Sequence, residues 1–215
     1  MNKDEFDKII RLLQNPTRRK IIEILTREEH YPLQISRTLN ASQQAISKHL
    51  TKLEEEGIVV SNKGKSEHGG PPTKNYRLNS EFSLRIDVGP TLFKTEVDDI
   101  EVGKISGYEH LEEKVKQNAT KGLLERNRKV IQEIEKEVKD LEKKRKYLLK
   151  LKEKALSDAY NYIYENFDDY QERYVLYYIL DSGITNPKKI SKKFRVREDD
   201  IENLINELKK KTKIW

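Results

Sequence analysis

The chain has 215 residues, 35% hydrophobic and 37% charged, with 43 Lys and Arg against 37 Asp and Glu for a formal net charge of +6, and no cysteine. Without Cys, disulfide scaffolds, thiolate metal sites, iron-sulfur clusters and Cys nucleophiles are excluded. The longest uncharged apolar stretch, Tyr174 to Leu180, is far short of the roughly 20 residues that cross a bilayer, and Met1-Asn-Lys-Asp-Glu5 lacks the apolar core of a signal peptide. The expectation is a soluble, cytoplasmic protein with no membrane partner. So lean a composition favours elongated helices or two small domains over one large core. No segment is basic enough by itself to announce nucleic acid, so function must be read from where charges sit on particular elements.

Residues 1–80 predict short helices followed by a hairpin. Phe6, Ile9, Ile10, Leu12 and Leu13 recur at helical spacing, and Asn15-Pro16-Thr17 ends that helix and opens the next. The second helix carries Ile21, Ile22, Ile24 and Leu25, and a short third carries Leu33, Ile35 and Leu39, closed by Asn40-Ala41. Ser42 has the type and position of an N-cap for a helix over 42–56 with Ala45, Ile46, Leu50 and Leu53 inward, ended by Gly57. A strand at Ile58-Val59-Val60, a polar Gly-Pro tip and a returning strand at Tyr76-Arg77-Leu78 complete the order of a winged helix-turn-helix.

Residues 81–106 read as a connector with one further strand, Phe82 to Val88, and then an acidic stretch. Residues 107–167 form one long helical pattern, interrupted near Asn118 to Gly122. With Leu124 at heptad position a, Ile131 and Val138 also fall at a, and Ile134, Leu141 and Leu148 at d. A rod of roughly 65 to 70 Å, at 1.5 Å per residue, with one thin apolar stripe is not stable alone in water. Its simplest partner is a second copy, which makes these six side chains a dimerisation seam. Residues 168–215 repeat the helix-turn-helix rhythm without a clear wing, unless Thr212 to Trp215 supply a remnant. The expected fold is therefore mainly α with a small β wing: a winged helix-turn-helix, a long coiled-coil dimerisation helix and a C-terminal helix-turn-helix domain.

An α-helix fits the major groove, and residues near its N-terminus meet base edges. With one face of helix 42–56 committed to the core, the other presents Ser42, Gln43, Gln44, Ser47, Lys48 and Lys52. A Gln amide pairs bidentately with adenine, Ser bonds base or phosphate, and Lys takes guanine or a phosphate oxygen. The wing, 61–75, adds Lys63, Lys65, His68 and Lys74 to follow the backbone or enter the minor groove. Arg18 and Arg19, at a helix start, are candidate phosphate anchors. The run Glu54-Glu-Glu56 is expected to stay at the end away from the duplex. His49 belongs against the core or on a phosphate, with no second metal ligand near it. In the C-terminal domain, Arg197-Glu-Asp-Asp200 and Glu202 place carboxylates where the first domain has Gln and Ser. Carboxylates suit a helix dipole and repel a phosphate backbone. That domain is expected to serve dimerisation, a protein partner or a weak secondary DNA contact, with Lys188, Lys189, Lys192 and Lys193 available for phosphates.

Asn15-Pro-Thr-Arg-Arg-Lys-Ile-Ile-Glu-Ile-Leu25, Ala41-Ser-Gln-Gln-Ala-Ile-Ser-Lys-His-Leu50 and Leu53-Glu-Glu-Glu-Gly-Ile-Val59 together resemble the winged-helix core of ArsR-type transcription regulators. Pro72-Thr-Lys-Asn-Tyr-Arg-Leu78 and Gly89-Pro-Thr-Leu-Phe93 are similar to the archaeal branch that contains the heat-shock regulator and the sulfur-responsive regulator. The resemblance covers residues 5–95 and is only architectural beyond. It implies a homodimer on pseudo-palindromic promoter sites, joined by a C-terminal helical region. The family's thiol-bearing sensor positions carry no thiol here: the third helix reads Leu33-Gln-Ile-Ser-Arg37, and the redox member's Cys-x-x-Cys is replaced by Arg27-Glu-Glu-His30.

The function expected is a homodimeric, sequence-specific, double-stranded-DNA-binding transcription regulator with no thiol or metal sensor, no cofactor and an unknown small-molecule effector. The alternative is a winged-helix and coiled-coil interaction scaffold with incidental DNA affinity. An enzyme is not expected, because the chain has no Gly-rich phosphate loop, nucleophile elbow or credible metal cluster.

Overall fold

The computed structural model describes residues 3–64, 73–98, 100, 103–116 and 122–212. The chain divides into two compact units, residues 1–87 with 94–104, and residues 88–93 with 105–215.

The first unit opens with α1 (Lys3–Leu13), α2 (Pro16–Leu25), α3 (Pro32–Leu39) and α4 (Gln43–Glu55). Their ends follow local chemistry. Asn15 Oδ1 accepts from Arg18 N–H at 3.1 Å and Pro16 stands in the first turn, so α2 begins where the sequence predicts. Asn40 ends α3 in the left-handed region at φ 49°, and Ser42 Oγ accepts from Ala45 N–H at 3.2 Å to start α4. Gly57, at φ +76°, lets the chain turn back, with Ile58 N–H on Leu53 O at 2.9 Å. β1 (Val59–Gly64) and β2 (Thr73–Leu78) then form an antiparallel wing in the register Val59 to Leu78 through Gly64 to Thr73. A backbone bridge between His30 and Tyr76 ties β2 to the segment before α3. Leu12, Ile21, Leu25, Ile35, Ile46, Leu50, Leu53, Ile58, Val59 and Tyr76 make one core.

Residues 81–106 are more ordered than a connector with one strand. β3 (Ser83–Gly89) pairs with β4 (Leu92–Asp98) as a second hairpin. Leu92-Phe-Lys-Thr-Glu-Val-Asp98 buries little besides Val97, so its apolar pattern is too weak to announce a strand. Pairing with β3 makes it one.

The second unit contains α5 (Glu109–Lys116), α6 (Leu123–Asn166), α7 (Tyr170–Ser182), α8 (Pro187–Phe194) and α9 (Glu198–Lys211). Lys114 Nζ reaches the Glu133 carboxylate at 2.7 Å and joins α5 to α6. Residues 88–93, the β3–β4 turn, pack on α6. Thr91 Oγ1 donates to Glu153 O at 3.1 Å, and a Cβ at Gly89 would stand 2.3 Å from Glu153 Oε1. At 44 residues, α6 is about 66 Å long at 1.5 Å per residue. Its C-terminal end shares a core with the last three helices, built on Ile163, Phe167, Leu176, Ile179, Ile190, Ile201, Ile205 and Leu208.

This second core matches the first position by position. Leu12 corresponds to Phe167, Ile21 to Leu176, Ile35 to Ile190, Ile46 to Ile201, Leu50 to Ile205 and Leu53 to Leu208, all buried and all separated by the same number of residues. Polar features keep the same step. Ser36 and Ser191 are buried, each hydroxyl donating to the carbonyl three residues back. Asn40 and Arg195 are the only non-glycine positive-φ residues among those described. Ala41 N–H bonds Ser36 O, as Val196 N–H bonds Ser191 O. Among the described residues the second unit has no strand after α9; Lys213 to Trp215, the expected wing remnant, lie outside them. No described helix is long and apolar enough to cross a membrane.

Candidate nucleic-acid interface

Ile46, Leu50 and Leu53 lock one face of α4 into the first core, which turns Gln43, Gln44, Lys48, Thr51 and Lys52 to solvent, with Ser47 half-buried among them. Gln43 and Gln44 occupy the first helical turn, and Ser42 caps it. Thr51 was missed by sequence reasoning, although it lies three residues beyond Lys48 on the same face. Arg37 of α3 is also exposed. Nothing in its local sequence marks it out, because the preceding helix of such a motif meets the phosphate backbone only through its tertiary placement.

The expected cations divide into two groups. Lys48 and Lys63 are exposed and have no carboxylate within ion-pair distance among the described residues. Lys52 instead bonds Glu55 at 3.2 Å and Glu56 at 3.0 Å, and these carboxylates raise its pKa. Lys74 bonds Glu54 at 2.7 Å and lies 5.2 Å from the centre of the Tyr76 ring. The same lysine, with the Ser61 hydroxyl, holds the Glu54 carboxyl below its ordinary pKa. The acidic end of α4 is therefore not a remote solvated tail: it clamps the base of the wing. Lys63 and Lys74 face each other across the β1–β2 ladder, and Glu54 offsets part of that repulsion. Lys65 and His68 lie outside the described residues.

Arg18 and Arg19, the expected phosphate anchors, contact the backbone of the chain. Arg18 Nε donates to Leu12 O at 2.6 Å and its Nη2 to Arg11 O at 2.7 Å, while Arg19 Nη1 donates to Leu13 O and, at 3.1 Å, to Gln14 O. Both guanidiniums cap the last carbonyls of α1, where the helix dipole is negative and backbone acceptors lack partners. Arg173 does the same in the second unit, on Phe167 O and Asp168 O at 2.7 Å each, so the contact is a recurring way of fixing the entry to a helix. His49 lies near Arg18 and is half-buried; burial first, then that charge, holds its imidazole below the usual range. It faces solvent near neutral pH as an uncharged ring. Among the described residues no three His, Asp or Glu side chains converge as metal ligands.

The first unit thus has a helix-turn-helix followed by a two-stranded wing, with polar and basic side chains on the exposed face of the second helix of the motif. Residues 15–61 match the family model described as bacterial regulatory protein, arsR family. Among solved structures the chain is similar to reduced HlyU from Vibrio cholerae, at 29% identity over 34% of this chain and 70% of that one, TM-score 0.30. It is similar to the transcriptional regulator HlyU from Vibrio vulnificus, at 28% identity over 37% and 77%, TM-score 0.31. A mutant of ZitR from Lactococcus lactis is similar at 23% identity over 30% and 42%, TM-score 0.27. No curated protein matches.

Proposed function

We propose that this protein is a homodimeric, sequence-specific DNA-binding transcription regulator that reads the major groove with α4 and follows the backbone with Arg37, Lys48, Lys63 and the wing. The reading rests on one observation: the segment that matches the ArsR family model carries Gln43, Gln44 and Lys48 exposed on a helix whose opposite face cannot move. Two adjacent amides at a helix N-terminus suit adenine edges, and an unpaired lysine beside them suits guanine or phosphate. The chain has no cysteine, so its regulation uses no thiol of its own.

The two chains of the proposed dimer meet along α6. Leu124 is 85% exposed, Leu148 63%, Ile131 and Val138 54% each and Leu141 48%, while Ile134 is half-buried. So much apolar surface in heptad register is what a coiled coil covers. The end of α6 with α7, α8 and α9 is read as a second helix-turn-helix, on the strength of the matched core, the two buried serines and the two left-handed turns.

Binding-site selection from random duplexes, then fluorescence anisotropy on the recovered site, tests the reading. Gln43→Ala and Gln44→Ala are expected to relax sequence preference, by about 1–3 kcal/mol per bidentate contact, while nonspecific affinity changes little. Equal losses on every sequence would overturn base reading and favour the scaffold alternative. Half-sites should lie about 34 Å apart or a multiple of it.

A further inference from the structure

The face that carries cations in α4 has opposite chemistry in α9. Lys48, His49 and Lys52 correspond to Asn203, Leu204 and Glu207, and Arg19 corresponds to Tyr174. In the second unit these replacements enclose a half-open pocket of about 580 Å³ between α7, the end of α8 and α9. Three aromatic rings line it. Tyr170 and Tyr174 stack with centroids 5.7 Å apart, and Tyr174 meets Phe194 at 4.8 Å. Asp200, Asn203, Leu204 and Glu207 form the opposite wall. Their spacing of three, four and seven residues places them on one stripe of α9. Among the described residues no lysine or arginine lines the pocket. Among the described residues neither Asp200 nor Glu207 has an ion-pair partner within 4.0 Å, although Lys211, which bonds Glu172, feels Glu207's charge.

We propose that this pocket binds a linear aliphatic polyamine. Two carboxylates seven residues apart on a helix are about 10 Å apart along its axis, and the surface between them is Leu204, with the amide of Asn203 beside it. An extended chain with an ammonium at each end and methylenes between fits that sequence of charge, apolar wall and charge. The rings opposite take part twice, since a tyrosine face attracts an ammonium and also packs against methylenes. A monovalent metal ion lacks the apolar body to fill such a cavity, and a polyanion meets the wrong charge. A regulator with this pocket would respond to an organic cation through its C-terminal unit while reading DNA with its N-terminal one. The pocket stands on its own geometry and does not depend on the DNA-binding reading.

Isothermal titration calorimetry of the full chain without DNA, using spermidine as the probe and magnesium chloride at matched ionic strength as the control, tests the proposal. The expected result is saturable binding of one spermidine per chain and none of magnesium. Asp200→Asn and Glu207→Gln should each weaken it about tenfold, the effect of losing one charge-assisted hydrogen bond. Tyr174→Leu should weaken it further while keeping the helix. Thermal melting of each variant, and its unchanged affinity for DNA in the absence of amine, separate a lost ligand contact from a lost fold. No saturable binding by spermidine, binding that magnesium reproduces, or binding indifferent to all three substitutions would overturn it. So would a lysine-rich peptide that binds with the same sensitivity where spermidine does not.

Discussion

α4 and α9 stand at corresponding places in two helical units with the same buried skeleton, yet their exposed faces carry opposite chemistry. Where α4 begins Gln43-Gln44, α9 begins Glu198-Asp199. Where α4 shows Lys48 and Lys52, α9 shows Asn203 and Glu207. The core positions are held by packing, which allows Leu50 to become Ile205 but not a charge. The surface positions are held only by what they touch. One buried skeleton thus carries two exposed faces of different charge, and the two proposed partners differ accordingly.

The largest effects should come from breaking what the two units share. Leu50→Ala and Ile205→Ala each empty a fully enclosed site and should cost about 2–5 kcal/mol, read from urea denaturation. Leu50→Ala should also abolish DNA binding. Next, Leu141→Glu with Leu148→Glu buries charge in the proposed seam. Sedimentation equilibrium should find monomers, and DNA affinity should fall because half-sites no longer bind cooperatively. Full dimerisation of that variant would remove α6 from the interface.

Making the faces alike sharpens the comparison from the other side. Glu198→Gln with Asp199→Gln copies the start of α4 onto α9 and removes two carboxylates. Nonspecific DNA affinity in anisotropy should rise severalfold at low salt and converge with the parent as salt increases. An unchanged affinity would mean that α9 never approaches the duplex. A smaller contrast lies in the two left-handed turns: Arg195→Gly should stabilise by up to about 1 kcal/mol, because a Cβ is strained there and Arg, unlike Asn, gains no local hydrogen bond in return, whereas Asn40→Gly should change stability by only a few tenths.

The smallest effect is electrostatic and confined to the first unit. Lys74 and Ser61 hold Glu54 below its ordinary pKa. Its contribution to stability is therefore complete above the unfolded-state carboxylate pKa and is lost as pH falls through the lowered folded value. Glu54→Gln should flatten the acid limb of a melting-temperature curve recorded between about pH 5 and 3, leaving the neutral region nearly unchanged because the pair is partly exposed.

Local chemistry was the most legible part of the chain. Asn15-Pro16, Asn40, Ser42 and Gly57 end and begin helices through contacts within a few residues, so their roles can be read from neighbours in sequence. The exposed face of α4 was legible for the same reason: periodicity assigns its core stripe, and the remainder must face outward. The contacts of Arg18 and Arg19 were not legible because their acceptors are carbonyls at the end of α1, brought close only when α2 folds back on it. The pairing of Lys74 was not legible because Glu54, twenty residues earlier, meets it only across a tertiary contact. β4 was missed because its hydrogen bonds to β3 stabilise a strand whose own residues are mostly polar.

By itself, then, the amino-acid order determined where helices start and stop, which positions are apolar, and that a cysteine-free chain has no thiol to sense with. Only the tertiary structure decided which charges are neutralised at home and which remain for a partner. It also decided that Tyr174, Phe194, Asp200 and Glu207 line one pocket. The physical reason is range: caps and periodicity act over one or two helical turns, whereas ion pairs and pockets join residues that sequence distance keeps apart until the core closes.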